Sequence, residues 1–220
     1  MNEFERILKT RHSCRAFQPT PLPRETIERM LALAQHTPSW CNTQPWQVHL
    51  VSGDALERFR TQYVERVQTH EVQADLGVPL AYRGEYQARR LECGMALYAS
   101  VGITRQDKAA AKRQGMENYR FFGAPHLAVI TTPRDLGAYG AVDCGGYLAT
   151  LLYAAASLGV AAVPQAAVAM HSDFVREFLG IAETRQVVAG VSFGLAAAEH
   201  PINGFRTTRA NLSDVVTWVE

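Results

Sequence analysis

Apolar side chains at helical spacing open the chain, where Phe4, Ile7 and Leu8 share one face of a helix that Asn2 can cap and that runs to about Lys9. A second helix is predicted over Arg24 to His36, with Ile27, Met30, Leu31 and Ala34 along its buried side and Pro38 ending it. The Pro-rich stretch Gln18 to Pro23 between them reads as turns. Trp46 to Val51 alternates as a strand, and Asp54 then caps a helix to about Gln68. Tyr86 to Val101 is amphipathic, and Asp107 to Tyr119 is a helical stretch rich in Ala, Lys and Arg.

The second half reads as strands separated by helices. His126 to Thr132 is a strand with the buried centre Leu127-Ala128-Val129-Ile130. Leu136 to Leu158 is a long helix whose small residues, among them Gly140, Gly145, Gly146 and Ala149, allow another helix to approach closely. Val160 to Val163 is a short strand before Pro164, Ser172 caps a helix to Leu179, and Val187 to Phe193 alternates as a final core strand. Two segments break the pattern. Thr69 to Gly84 is polar, carries Gly77 and Pro79, and has the profile of a mobile loop or lid, the best candidate for gating a substrate. From Ala196 onward core periodicity is lost, so the chain is expected to leave the globule as an arm ending in the apolar segment Leu212 to Val219.

Length and composition narrow the classes. With 220 residues and 47% hydrophobic content, one domain spanning 1–220 can bury a full core, with 196–220 as its arm. Lys+Arg of 22 against Asp+Glu of 21 leaves a net charge of +1, which excludes a nucleic-acid surface or a polybasic membrane anchor. Any basic cluster is therefore local. The longest apolar stretch, around Leu148 to Ala156, falls short of the roughly 20 residues that span a bilayer. Cys14, Cys41, Cys93 and Cys144 lack CxxC spacing and follow no secretory segment, which predicts reduced thiols in a cytoplasmic protein. His, Cys and carboxylates form no metal-spaced set.

The local chemistry sits near the two ends. Arg11-His12-Ser13-Cys14-Arg15 gathers two guanidiniums and a hydroxyl, which suits a phosphate, while His12 reads equally as a helix-terminus cation or a packed histidine. Arg206 and Arg209 form a second basic pair. Pro38-Ser39-Trp40-Cys41-Asn42-Thr43-Gln44 sets the amides Asn42 and Gln44 beside a tryptophan, a composition suited to a flat ring with polar edges. Neither GxGxxG, P-loop nor GxSxG is present, and no base is paired with Cys41.

Taken together these motifs resemble the nitroreductase family, over essentially the whole chain from Arg11 to Val219. The resemblance implies an α+β fold, with a mixed, largely antiparallel central sheet flanked by helices, in an intertwined homodimer with C-terminal arm exchange. It implies FMN as cofactor and NADH or NADPH as hydride donor, in a ping-pong reduction of a small nitroaromatic or quinone-like acceptor. Arg11, Ser13 and Arg209 would hold the phosphate with Arg206 as an addition, His12 would belong to the same cofactor-binding set, and Arg15 would hold the N1/O2 locus of the reduced flavin. Pro38, Ser39 and Trp40 would contact the flavin held mainly by the other subunit, Asn42 and Gln44 would read the ring's polar edge, and Pro164, Gln165, Ala166 and Ala167 would approach flavin N5 and O4. Tyr119, Phe121 and Phe122 lie either at the flavin's open face or as a staple to the core. No side chain acts as nucleophile. Other reactions on the same scaffold are a reductive dehalogenase, an enone reductase or a flavin-fragmenting enzyme, and a different class is a flavin store or redox sensor without turnover.

Overall fold

Asn2 caps α1 (Glu3–Thr10) through a reciprocal capping box, accepting the Glu5 N–H at 2.8 Å while Glu5 accepts the Asn2 N–H at 2.8 Å. The computed structural model describes residues 1–220. After α1 come α2 (Arg24–Ala34), β1 (Gln47–Ser52), α3 (Gly53–Thr69), α4 (Gly84–Ala99), α5 (Lys108–Met116), β2 (His126–Pro133), α6 (Gly137–Ser157), β3 (Ala161–Gln165), α7 (Ser172–Leu179) and β4 (Arg185–Gly194).

The sheet has the order β1-β2-β4-β3, with all three pairings antiparallel. Parallel pairing is confined to isolated bridges, of which Ser13 to Ala162 brings the first basic motif to the β3 edge. Because side chains alternate across a strand, β2 feeds two cores. Ala128 and Ile130 face α2 and α6 with Trp46, Tyr147 and Phe193, and Leu127 and Val129 face α3 and α7 with Phe59, Tyr63 and Phe121. Both faces of β2 are buried, as its uninterrupted apolar run requires. Pro164 is tolerated in β3 because β3 is the sheet's edge strand, bridged on its outer side only at Ala162.

On α6 the residues Gly140, Cys144, Tyr147, Leu151 and Ala155 form the inward stripe. Its outer face exposes Tyr139, Val142, Gly145 and Gly146. α4 has no buried residue in its 16.

Two expectations need correction. The polar segment after α3 is not a free lid throughout. The Asp75 carboxylate is buried and accepts from Arg134 at 2.7 Å, from Arg176, and from the Val187 N–H at 2.8 Å. Gln73 bridges the backbone at His171, so residues 70–76 are fastened to α7 and β4. Only the exposed span 77–83 keeps the open character that its composition suggested. The chain also does not leave the globule at Ala196. Gln18 N–H donates to Leu195 at 2.8 Å and Ala197 N–H to Ala16 at 3.0 Å, and a 3-10 turn at Pro201–Gly204 buries Ile202 and Asn203. Backbone pairing of this kind has no hydrophobic period to reveal it. The arm begins at Phe205, after which side chains are largely exposed, Trp218 by 77%.

Candidate functional site

The C-terminal end of α1 delivers Arg11, His12 and Ser13 to the β3 edge, where Cys14 N–H donates to the Ala162 carbonyl at 3.1 Å. The other end of the chain meets them there. Asn203 accepts the Arg15 N–H at 2.8 Å and donates to the Ala16 carbonyl at 2.8 Å and the Ala197 carbonyl at 3.0 Å. This buried carboxamide staples residues 15 and 16 to residues 197–203. Past it, Arg206 donates to the Asn203 carbonyl at 2.7 Å, and the Arg15 guanidinium stands 5.9 Å from the Phe205 ring.

These residues enclose a cavity of about 430 Å³ lined by Arg11, His12, Ser13, Arg15, Arg206 and Arg209, with Lys9 and Thr207 at its margin. No carboxylate lines it. Arg11 Nη1 is buried without a hydrogen-bond partner, although guanidinium donors inside a protein are normally paired. Burial, reinforced by the nearby Arg206, Arg11 and Arg15, lowers the His12 pKa despite its contact with the Thr10 carbonyl. Burial thus disfavours the charged imidazole, and the cavity's positive charge comes from its guanidiniums and Lys9. A terminal phosphate dianion supplies what this donor set lacks, so the residues present fit the phosphate of FMN.

Asn203, Phe205, Thr207 and Lys9 belong to this site and were not singled out from sequence. Asn203 carries no motif signature, because its role depends on the two ends of the chain coming together.

The Pro38 to Gln44 loop does not line that cavity. It is held at the outer face of α6, where Asp143 accepts the Trp40 N–H at 3.2 Å and the Trp40 and Tyr139 rings meet edge to face at 4.3 Å. Asn42 and Gln44, suited by type to reading a ring edge, bond each other at 3.0 Å, and Gln35 donates to Gln44 at 3.0 Å. Cys41, Asn42 and Gln44 have φ of 51°, 55° and 45°. Left-handed backbone costs roughly 1–2 kcal/mol at each non-glycine residue, so the loop is held in shape against its own preference. Trp40 is 58% exposed. Trp46, by contrast, stacks on Tyr147 in the core.

At the end of β3, Gln165 is buried and its side chain is committed, donating to the Asn118 carbonyl at 2.6 Å and Oδ1 at 2.8 Å and accepting from Ser192. Ala166 is exposed, whereas Ala167 is buried. Of the aromatic run, Phe121 is the staple: it is 0% exposed and stacks with Phe59 and Tyr63, whereas Tyr119 and Phe122 are half-buried. Tyr119 packs beside that cluster, and Phe122 beside Cys14 and Phe17. No ring edge of Phe121 is available to a substrate. No group of three His, Cys, Asp or Glu side chains is arranged to hold a metal ion.

The sequence profile described as "Nitroreductase family" matches residues 8–195. The chain is 39% identical over 215 residues to nitroreductase NfnB of Mycolicibacterium smegmatis, covering 96% of this chain and 90% of that one. It is 30% identical over 213 residues to a 4-nitrobenzoate reductase of Pseudomonas putida, covering 94% and 92%. The crystal structure of the FMN-dependent nitroreductase NfnB from Mycobacterium smegmatis in complex with NADPH superposes with a TM-score of 0.92 at 38% identity, covering 98% of this chain and 97% of that one.

Proposed function

The chain belongs to the nitroreductase family, and from that premise we propose that it is an FMN-dependent NAD(P)H oxidoreductase that reduces nitroaromatic or quinone-like acceptors. The observation that carries this reading is the acid-free cavity joining the two ends of the chain, lined by Arg11, Arg15, Arg206 and Arg209.

Arg11, Ser13, Arg206 and Arg209 bind the phosphate, and Arg15, half-buried beside Phe205, brings a fixed positive charge toward the ring system. When bound, FMN supplies the redox chemistry, taking two electrons as hydride from NAD(P)H and passing them to the acceptor. Reduction of a nitro group to nitroso consumes one NAD(P)H and one proton per water released, the hydride and that proton supplying the two hydrogens of the water. No side chain of this protein has to form a covalent bond in that sequence. The residues bind, orient and exclude water.

The working form is a homodimer in this reading. The support is the unburied helix α4, the small-residue outer face of α6, and the arm's exposed Leu212, Val215, Trp218 and Val219, surfaces that lone soluble subunits seldom leave open. The Pro38 to Gln44 loop of each subunit then serves the flavin of the other. No helix is long and apolar enough to cross a membrane. All four cysteines are free thiols, which supports the reading of a reducing, cytoplasmic setting.

The test is the absorbance spectrum of the purified protein, heat release and chromatography of its cofactor, and steady-state NAD(P)H oxidation with nitrofurazone or a quinone. FMN with turnover is expected. FAD or no flavin overturns the reading, and FMN without turnover with any such acceptor replaces it with a flavin store.

A further inference from the structure

Tyr63 lies on α3, far along the chain from the β3 end, yet its hydroxyl donates to the Ala167 carbonyl, with the Val168 carbonyl 3.1 Å away. The side chain is fully buried, and its ring is fixed by Phe59 at 5.5 Å, Phe121 at 5.9 Å and the edge of His171 at 5.9 Å. Burial pushes its pKa up, so the hydroxyl stays protonated and remains a donor.

The turn that Tyr63 grips is held from its other sides as well. Gln165 is tied to Asn118 and Ser192. Val168 sits against Gly190 so closely that a Cβ there would lie 2.5 Å from its Cγ2, which leaves the turn no room to settle further onto β4. Gln73 donates to the Met170 carbonyl at 2.8 Å. Only Ala166 emerges from this clamp to the surface.

We propose that Tyr63 is a positioning residue for hydride transfer: by holding the Ala167 carbonyl it sets the orientation of the Ala167–Val168 peptide and, through it, the presentation of the Ala166 turn to the flavin. The inference rests on the reading of Pro164 to Ala167 as the flavin-facing segment. A hydrogen bond delivered by a rigid aromatic cluster orients the turn without placing another titrating group beside the ring. Misplacing a reacting partner by a fraction of an ångström slows transfer while leaving the phosphate cavity unaffected.

The experiment compares wild type with Tyr63→Phe, which keeps the ring and removes only the hydroxyl, and with Tyr147→Phe, a buried tyrosine in the other core. In Tyr63→Phe the dissociation constant for FMN should stay within about twofold, while stopped-flow hydride transfer from NAD(P)H slows about tenfold and the flavin midpoint potential shifts. Hydrogen exchange of residues 164–170 in the apoprotein should rise in Tyr63→Phe and not in Tyr147→Phe. A Tyr63→Phe enzyme with wild-type potential and transfer rate overturns the proposal, whatever its melting temperature, because a purely structural role moves only the latter. A wild type that takes up no FMN ends the flavin reading itself. A wild type that takes up FMN, beside an indistinguishable Tyr63→Phe, ends this inference alone.

Discussion

The Asn203 carboxamide accepts the backbone N–H of Arg15 at 2.8 Å across 188 positions of sequence, and through that bond the two basic clusters share one wall. Its own amide hydrogens go to the Ala16 and Ala197 carbonyls, so a single buried side chain satisfies three backbone groups.

Asn203→Ala should therefore cost stability and ligand binding together. Unpaired buried polar groups cost about 1–3 kcal/mol each, and a loss of about 2–3 kcal/mol is expected after partial relaxation. Denaturant unfolding and FMN titration of the same preparation check this. Unchanged FMN binding in a destabilised variant would separate the staple from the cavity.

Arg209→Ala should weaken FMN binding by about 1–3 kcal/mol, the scale of a lost charge-assisted partner. Arg11→Ala should weaken it further, because Arg11 is half-buried with a donor otherwise unpaired, whereas Arg209 is exposed and already bonds Thr207 at 2.6 Å. Flavin titration of the two apoproteins ranks them. The reverse order would place the phosphate nearer the arm.

Asp75→Asn keeps the shape of the latch and removes its charge, leaving the buried Arg176 guanidinium only the exposed Glu183 carboxylate, 3.3 Å from its Nε; a cost of about 3 kcal/mol is expected from denaturant melts. Burial alone would raise the Asp75 pKa, but the Val187 N–H, Arg134 and Arg176 outweigh it and hold the group below the usual carboxylate value. Its stabilisation is therefore complete above the unfolded pKa of about 4 and is lost as pH falls through the lower folded value. The acid limb of wild type should exceed that of Asp75→Asn.

His126 accepts the Leu22 N–H at Nε2 at 2.8 Å, with Ser52 at its other ring nitrogen, so the fold requires the neutral ring. Burial holds its pKa below the ordinary histidine value. The unfolded chain protonates first as pH drops below about 6.5, and folding stability declines from there until the folded histidine takes up its own proton. His126→Gln should melt lower at pH 7.5 but lose less between pH 7 and 5. His49 and His171, also depressed by burial, keep the remaining slope from vanishing.

Deleting residues 207–220 removes Arg209 and the exposed Leu212, Val215, Trp218 and Val219 while sparing the packed turn at Pro201–Gly204. Sedimentation should show monomer, and the flavin absorbance should fall. A truncated protein that remains dimeric and fully yellow would make the arm dispensable to both.

The sequence by itself determined the elements whose burial is periodic, and the chemistry whose residues are neighbours. β2 was legible as a strand buried on both sides because four apolar residues run unbroken, α6 because small and apolar residues recur every third or fourth position, and the Arg11 to Arg15 cluster because its charges are contiguous. Only the tertiary structure decided which residues those elements serve. Asn203, Asp75 and Tyr63 act through hydrogen bonds to backbone groups distant in sequence, and such bonds depend on a meeting of segments rather than on any local period. Phe121 was ambiguous for the same reason: an aromatic residue before a strand has one composition in a core and at a binding face, and only its stacking on Phe59 assigns it to the core.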